Sequence, residues 1–197
     1  MEADLTKLKP DVRKLSDIKD VIFDQDWLKT ANDFDLYYMY RGIENNDSIR
    51  YDITVVPANM LGSEFTKTKG HYHIGSYQEV YTVLEGQAIY LMQKQGSSIN
   101  EITDAYAVKA EKGDVIIIPS NYGHVTINPS ETQELKMANW LSENCKSDYS
   151  PFEKLKGACY YYTKQGTWLK NENYKNVPEL RFEEPLKEVP KNLDFLK

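Results

Sequence analysis

The sequence predicts an all-β fold, a sandwich or a barrel, with a short helical segment before it and an extended tail after it. Three observations lead there. From Leu36 to about Thr163, short segments rich in Val, Ile, Tyr and Thr recur between turn residues, the pattern of a sandwich or barrel. The chain carries 15 tyrosines, which suit strands and pockets that need a hydroxyl beside an aromatic face. At 197 residues it is a single domain of ordinary size, able to bury roughly 70% of its unfolded surface without a disulfide staple.

Residues 1–36 read as a helical or extended segment packing on the β domain. Val12 to Leu28 is charged, with Leu15, Ile18, Val21, Ile22 and Leu28 at helical spacing and Ser16 or Asp17 placed to cap it. Residues 37–165 form the β domain. Its predicted strands are Leu36–Arg41, Arg50–Val56, Phe65–His73, Glu79–Leu84, Ala88–Gln93, Ala105–Lys109, Asp114–Ile118, His124–Ile127, Leu135–Leu141 and Ala158–Thr163. Residues 166–197 form a C-terminal arm. From Asn171 onward three prolines stand among alternating charges, which predicts an extended arm over the barrel or a partner.

The net charge of −6, from 24 basic and 30 acidic residues, argues against a nucleic-acid partner or an anionic membrane. Met1 to Pro10 is charged and lacks the apolar run of a signal peptide, and Val115 to Pro119 is too short to span a bilayer. With Cys145 and Cys159 outside any CxxC pair, the expectation is a cytoplasmic protein with two reduced thiols. No Walker loop or dinucleotide fingerprint occurs.

The chemistry gathers on the three histidines, His71, His73 and His124. His71 and His73 are two apart, so on a strand both rings face one side. A hairpin turn over Ile74–Gln78 would return Glu79 beside them, and His124 opens another strand. Three imidazoles and one carboxylate make a ligand set for a divalent transition metal, with room for water or substrate. Tyr81 lies two residues beyond Glu79 and shares its face. Its hydroxyl either bonds a substrate oxygen, orients Glu79, or is satisfied within the core. Thr68 and Gly70, just before the histidines, offer a hydroxyl and close backbone approach to a phosphate. Lys67 and Lys69 either add charge for that phosphate or are exposed lysines on a strand edge, the commoner case and the one favoured for Lys67.

These residues resemble the two motifs of the cupin superfamily: His71-x-His73, Glu79 and Gly86, then Gly113, Pro119, His124 and Asn128. The resemblance implies a double-stranded β-helix, the jelly-roll barrel. Asn121 stands where the second motif usually has glycine, and Asn is the next most tolerant residue of positive φ. The flanks are more specific. Val12-Arg13-Lys14-Leu15-Ser16-Asp17, Thr66-Lys67-Thr68-Lys69-Gly70-His71-Tyr72-His73 and Glu79-Val80-Tyr81 look like the cupin-type, archaeal-type glucose-6-phosphate isomerases.

That resemblance implies reversible conversion of glucose 6-phosphate to fructose 6-phosphate, in glycolysis and gluconeogenesis, by a cytoplasmic homodimer. Iron(II) is the implied metal, with nickel, manganese or zinc as substitutes, held by His71, His73, Glu79 and His124. Glu79 and Tyr81 become the catalytic candidates. Tyr37, Thr54, Thr68, Gly70 and Tyr81 would contact the sugar phosphate, with Tyr149 closing the pocket. Where the family commonly shows Gly-His-Asp-Tyr, this chain has Lys146-Ser147-Asp148-Tyr149, and Trp140 stands where tyrosine is usual. Such a reaction moves hydrogen between C1 and C2 through or near an enediolate, whose charge a Lewis acid stabilises. Coordination lowers the basicity of Glu79, so either it swings away during turnover or a hydride passes directly between the carbons. Two other readings share the motif: a cupin oxygenase of a small organic substrate, and a non-catalytic sugar-phosphate-binding cupin.

Overall fold

The computed structural model describes residues 4–197; the first three residues of the expected N-terminal segment lie outside them. Strand β1 (Asp11–Lys14) leads into a short helix α1 (Leu15–Ile18), a 3-10 turn (Lys19–Val21) and a second short helix α2 (Gln25–Leu28). The helix expected over 12–28 is therefore a strand followed by separate helical turns. Val12 pairs with Tyr38 of β2 (Asp35–Asn46), a ladder whose cross-strand bonds an isolated helix of this length cannot match. Downstream, the apolar spacing holds: Leu15, Ile18, Val21 and Ile22 are all buried. Asp17 acts from within the first turn, its carboxylate accepting the Lys14 backbone N–H at 2.8 Å.

Along the chain follow β3 (Ile49–Val56), β4 (Met60–Leu61), β5 (Glu64–Phe65), β6 (Tyr72–Ile74), β7 (Glu79–Glu85) and β8 (Gln87–Gln95). Next come β9 (Ile102–Glu111), β10 (Val115–Ile118), β11 (Tyr122–Ile127), β12 (Leu135–Ser142) and β13 (Lys146–Asp148). After helix α3 (Ser150–Lys154) come β14 (Tyr160–Tyr162), β15 (Trp168–Lys170) and β16 (Arg181–Glu183). The single strand expected over Phe65–His73 is divided. Gly70, at φ +82°, breaks it between β5 and β6, leaving isolated bridges at Lys67↔Ile127 and His71↔His124.

Two sheets dominate. One has the order β1-β2-β3-β12-β7-β10, the other β11-β8-β9-β16. The fold is mostly β and consistent with a cupin-like build, but the closed barrel is not formed. The larger sheet ends on β1 and β10, the smaller on β11 and β16, and no sheet closes on itself among the described residues. The core lies between them. Tyr81 and Val83 of β7 share it with Tyr90 and Met92 of β8. The Tyr81 and Tyr90 rings stand 5.3 Å apart, and the Tyr90 hydroxyl donates to Met137 Sδ at 3.4 Å.

The tail is extended, as its prolines predict, and lies on its own chain. Strand β16 adds parallel to β9, Leu186 exchanges two 2.8 Å backbone bonds with Val115, and Leu196 is buried in a small cluster with Ile49, Val80 and Val115. Arg181 fastens it, forking onto Asp104 at 2.9 and 2.7 Å while its guanidinium lies over Tyr106.

Candidate metal centre

His71 and His124 face each other across their bridge, exchanging backbone bonds of 3.2 and 3.0 Å. His73 belongs to β6, opposite Ser147 of β13, and Glu79 opens β7. The expected hairpin between β6 and β7 is absent, because both edges of β7 are already taken by β12 and β10. The turn instead carries the chain from one sheet to another and still delivers Glu79 to the histidines.

One nitrogen from each imidazole and one oxygen of Glu79 all lie within 4.8 Å of one another. Glu79 Oε2 is 3.3 Å from His73 Nε2 and 3.4 Å from His124 Nε2. These contacts lack hydrogen-bond geometry: His73 Nε2, Glu79 Oε2 and both ring nitrogens of His124 are buried with no hydrogen-bond partner among the described residues. Buried polar atoms left bare cost about 1–3 kcal/mol each, and three of these, His73 Nε2, His124 Nε2 and Glu79 Oε2, converge, which fits a group that binds them together. Three nitrogens and a carboxylate oxygen suit a divalent transition metal.

The surroundings aim these atoms. His73 Nδ1 lies 3.1 Å from the Tyr77 carbonyl, which accepts its proton and leaves Nε2 facing the cluster. Asn139 Nδ2 donates to Glu79 Oε1 at 2.7 Å. Burial, then the charge of His73, pushes the His71 pKa down to about 3. The same causes, with His71 added, hold His124 well below the usual imidazole range. Burial also opposes a charge on His73, but the Cys145 thiol and Glu79 outweigh it and push the pKa up to about 10. Two of the three rings are thus neutral at pH 7, the form that lends a lone pair to a metal, and a cation entering the cluster displaces the proton on His73.

A cavity of about 620 Å³, its open mouth included, lies over the cluster. His71, Glu79 and His124 line it, together with Tyr37, Thr54, Thr68, Gly70, Tyr81 and Tyr149. The Tyr37 hydroxyl accepts the Lys69 backbone N–H at 3.3 Å, and burial pushes its pKa up to about 12. Thr68 Oγ1 accepts the Thr126 N–H at 3.0 Å. A Cβ on Gly70 would stand 2.6 Å from Val125 Cγ2 and 2.7 Å from the Phe152 ring, so the close passage there needs glycine. The Tyr81 hydroxyl is held un-ionised by burial and by the charge of Glu79. The Tyr149 ring lies 5.4 Å from that of His71. Asn121, in the place of the motif glycine, adopts φ +66°.

Among the other positions the sequence singled out, Lys67 and Trp140 differ from the sequence reading. Lys67 is buried, its ammonium 2.6 Å from Glu64 and 2.9 Å from the Val21 carbonyl, where it ties the N-terminal segment to the β domain. Lys69 pairs with Glu153 at 2.6 Å and lines the cavity. Trp140 points away from the cavity and packs against Tyr51 at 4.8 Å, because its strand neighbours Asn139 and Leu141 take the inward face. Cavity residues missed in the sequence include Arg41, Arg50, Asp52 and Asn139. Asn139 left one signal, an amide between the apolar inward positions Met137 and Leu141.

Fold and site together define a cupin-like β protein with a three-histidine, one-glutamate cluster able to hold a divalent metal. A family model described as glucose-6-phosphate isomerase (GPI) matches residues 12–179, and the chain belongs to that family. The glucose-6-phosphate isomerase of Thermococcus litoralis is 31% identical over 129 residues, 62% of this chain and 65% of that protein. That of Pyrococcus abyssi is 30% identical over 126 residues, 61% of this chain and 64% of that protein. The chain thus spans just under two thirds of the length of these relatives. Among solved structures it is similar to the vicilin from Solanum melongena, 12% identical with a TM-score of 0.46, over 74% of this chain and 33% of that one. Among the described residues no helix is long and apolar enough to cross a membrane.

Proposed function

We propose that this protein is a metal-dependent isomerase interconverting glucose 6-phosphate and fructose 6-phosphate. The observation that carries the reading is the clustering of all three histidines with Glu79, three of the four residues lining one cavity, in a chain of the glucose-6-phosphate isomerase family. In this reading His71, His73, Glu79 and His124 hold the metal, with iron(II) first in expectation and nickel, manganese or zinc as substitutes. When bound, the metal supplies Lewis acidity to neighbouring oxygens of the sugar.

The rest is done by the chain. Glu79 offers Oε2 to the site while Oε1 is occupied by Asn139. Tyr81, kept protonated, donates its hydroxyl to a sugar oxygen. Thr54 and Thr68 offer hydroxyls to the substrate, and Gly70 lets its phosphate approach the backbone. Tyr37 and Tyr149 wall the cavity and limit the water that enters it. The same reading makes the protein a cytoplasmic homodimer, its β domain at 37–165 carrying the site and the segments at 1–36 and 166–197 packing on it.

The test is a coupled assay on either sugar phosphate. Interconversion abolished by EDTA and restored by iron(II) supports the isomerase. A fully metal-loaded protein that leaves both sugars unchanged overturns it, and oxygen uptake with small organic acids would move the assignment to an oxygenase.

A further inference from the structure

We propose that Asn139 is a positioning residue that fixes the Glu79 carboxylate with one oxygen turned toward the three imidazoles. The inference rests on the metal-binding reading and deepens it.

Glu79 has three rotatable side-chain bonds, and nothing in its own chemistry decides which oxygen faces the histidines. Asn139 decides. It sits on β12 opposite Tyr81 of β7, and Leu141 stands opposite Glu79 itself, so the amide reaches diagonally across the two strands. At 5% exposure its Nδ2 donates to Glu79 Oε1 at 2.7 Å. Oε2 is left bare, 3.3 and 3.4 Å from the Nε2 atoms of His73 and His124. An amide suits this place: it donates a hydrogen bond without bringing a positive charge that would compete with a metal cation.

Burying an amide where leucine would pack costs free energy unless the hydrogen bond is used. Its inward neighbours on the strand, Met137 and Leu141, follow the apolar rule that Asn139 breaks. A carboxylate anchored at one oxygen also resists rotation. Of the two roles open to Glu79, a constant ligand or a group that swings away to carry a proton, the anchor favours the ligand.

The test uses the full-length protein stripped of metal and titrated with cobalt(II), read by its visible absorption bands. Asn139→Leu keeps the volume and removes the donor. It is expected to weaken cobalt(II) affinity by roughly 10- to 100-fold and to shift the bands. Asn139→Ala, where a water can stand in for the amide, is expected to lose less, and serves if the leucine variant does not fold. In a Glu79→Ala background the effect of either substitution should vanish, because no carboxylate remains for it to act through. A purely structural role predicts the same loss in both backgrounds and would overturn the proposal, as would affinities within about threefold of the parent for both variants. A parent protein that takes up no cobalt(II) overturns the metal site itself. A parent that binds, alongside Asn139 variants that bind equally well, overturns only the positioning role.

Discussion

His73 meets three neighbours at once. The Tyr77 carbonyl faces Nδ1, Glu79 Oε2 faces Nε2, and the Cys145 thiol lies alongside. Once a cation displaces its Nε2 proton, a ring held this way has one lone pair to give and one direction in which to give it. His71→Ala and His124→Ala are each expected to lower isomerase turnover by more than about 100-fold while circular dichroism stays unchanged. Glu79→Gln should lower kcat far more than it raises KM; a change in KM alone would reduce Glu79 to a substrate-positioning role. The histidines were legible in the sequence because all three fall into one ligand pattern, carried by two motifs, and the spacing of His71 and His73 on a strand fixes their face. Asn139 was not, since its partner lies 60 residues away and only the register of β12 on β7 brings them together.

Between Tyr40 and Glu44 the ladder of β2 on β3 slips, and Gly42 takes φ +62° in the bulge. Asp52 pins this irregularity from the neighbouring strand. Its Oδ1 accepts the Gly42 N–H at 2.7 Å, and its Oδ2 takes Arg50 Nε at 3.0 Å with Arg41 Nη1 3.8 Å away. The bulge thereby sets two arginines on the wall of the cavity. Asp52→Asn keeps the shape but takes from Arg50 its carboxylate and leaves Arg41 with only that of Asp11, 3.2 Å away. It is expected to destabilise the protein by about 1–3 kcal/mol, measured as a lower midpoint of urea unfolding at an unchanged slope. Bulges and turns of this kind were the least legible features. The run Val12–Leu28 showed helical spacing, yet its first residues joined a sheet edge that sequence does not display. Ile74–Gln78 looked like a hairpin turn, yet β7 had already given both edges to strands far along the chain.

The whole molecule is two open sheets joined by a core and laced by the C-terminal arm. The fork of Arg181 holds the Asp104 carboxyl below its ordinary value of 3.8, against a smaller opposing effect of burial. A depressed carboxyl contributes stability above its unfolded pKa and loses that contribution as pH falls through its folded value. The window therefore lies below about pH 4, and the pair is worth at most about 1 kcal/mol because the Arg181 side chain is half exposed. Peptic cleavage beside the exposed Phe182 is expected to begin in that window, and Arg181→Ala should be cut there already at pH 5. Cleavage equal in both proteins at pH 5 would show that the fork does not hold the arm. The recurrence of short Val-, Ile-, Tyr- and Thr-rich segments between turn residues made the mostly-β architecture readable in advance. Closure into a barrel depends on which strands end a sheet, a global property that no local pattern carries.

The four cluster residues come from separate parts of this architecture. Glu79 belongs to the six-stranded sheet, His124 to the four-stranded one, His73 to the small β6–β13 pair, and His71 to a lone bridge. No one sheet can assemble the site, so an ion recognises only the state in which all of them have docked. By mass action such an ion draws the folding equilibrium toward that state, by about 2.7 kcal/mol at a hundredfold excess over its dissociation constant. An ion bound there would act as a rivet through layers that share no closed ladder, adding its binding energy to a fold that also stands without it.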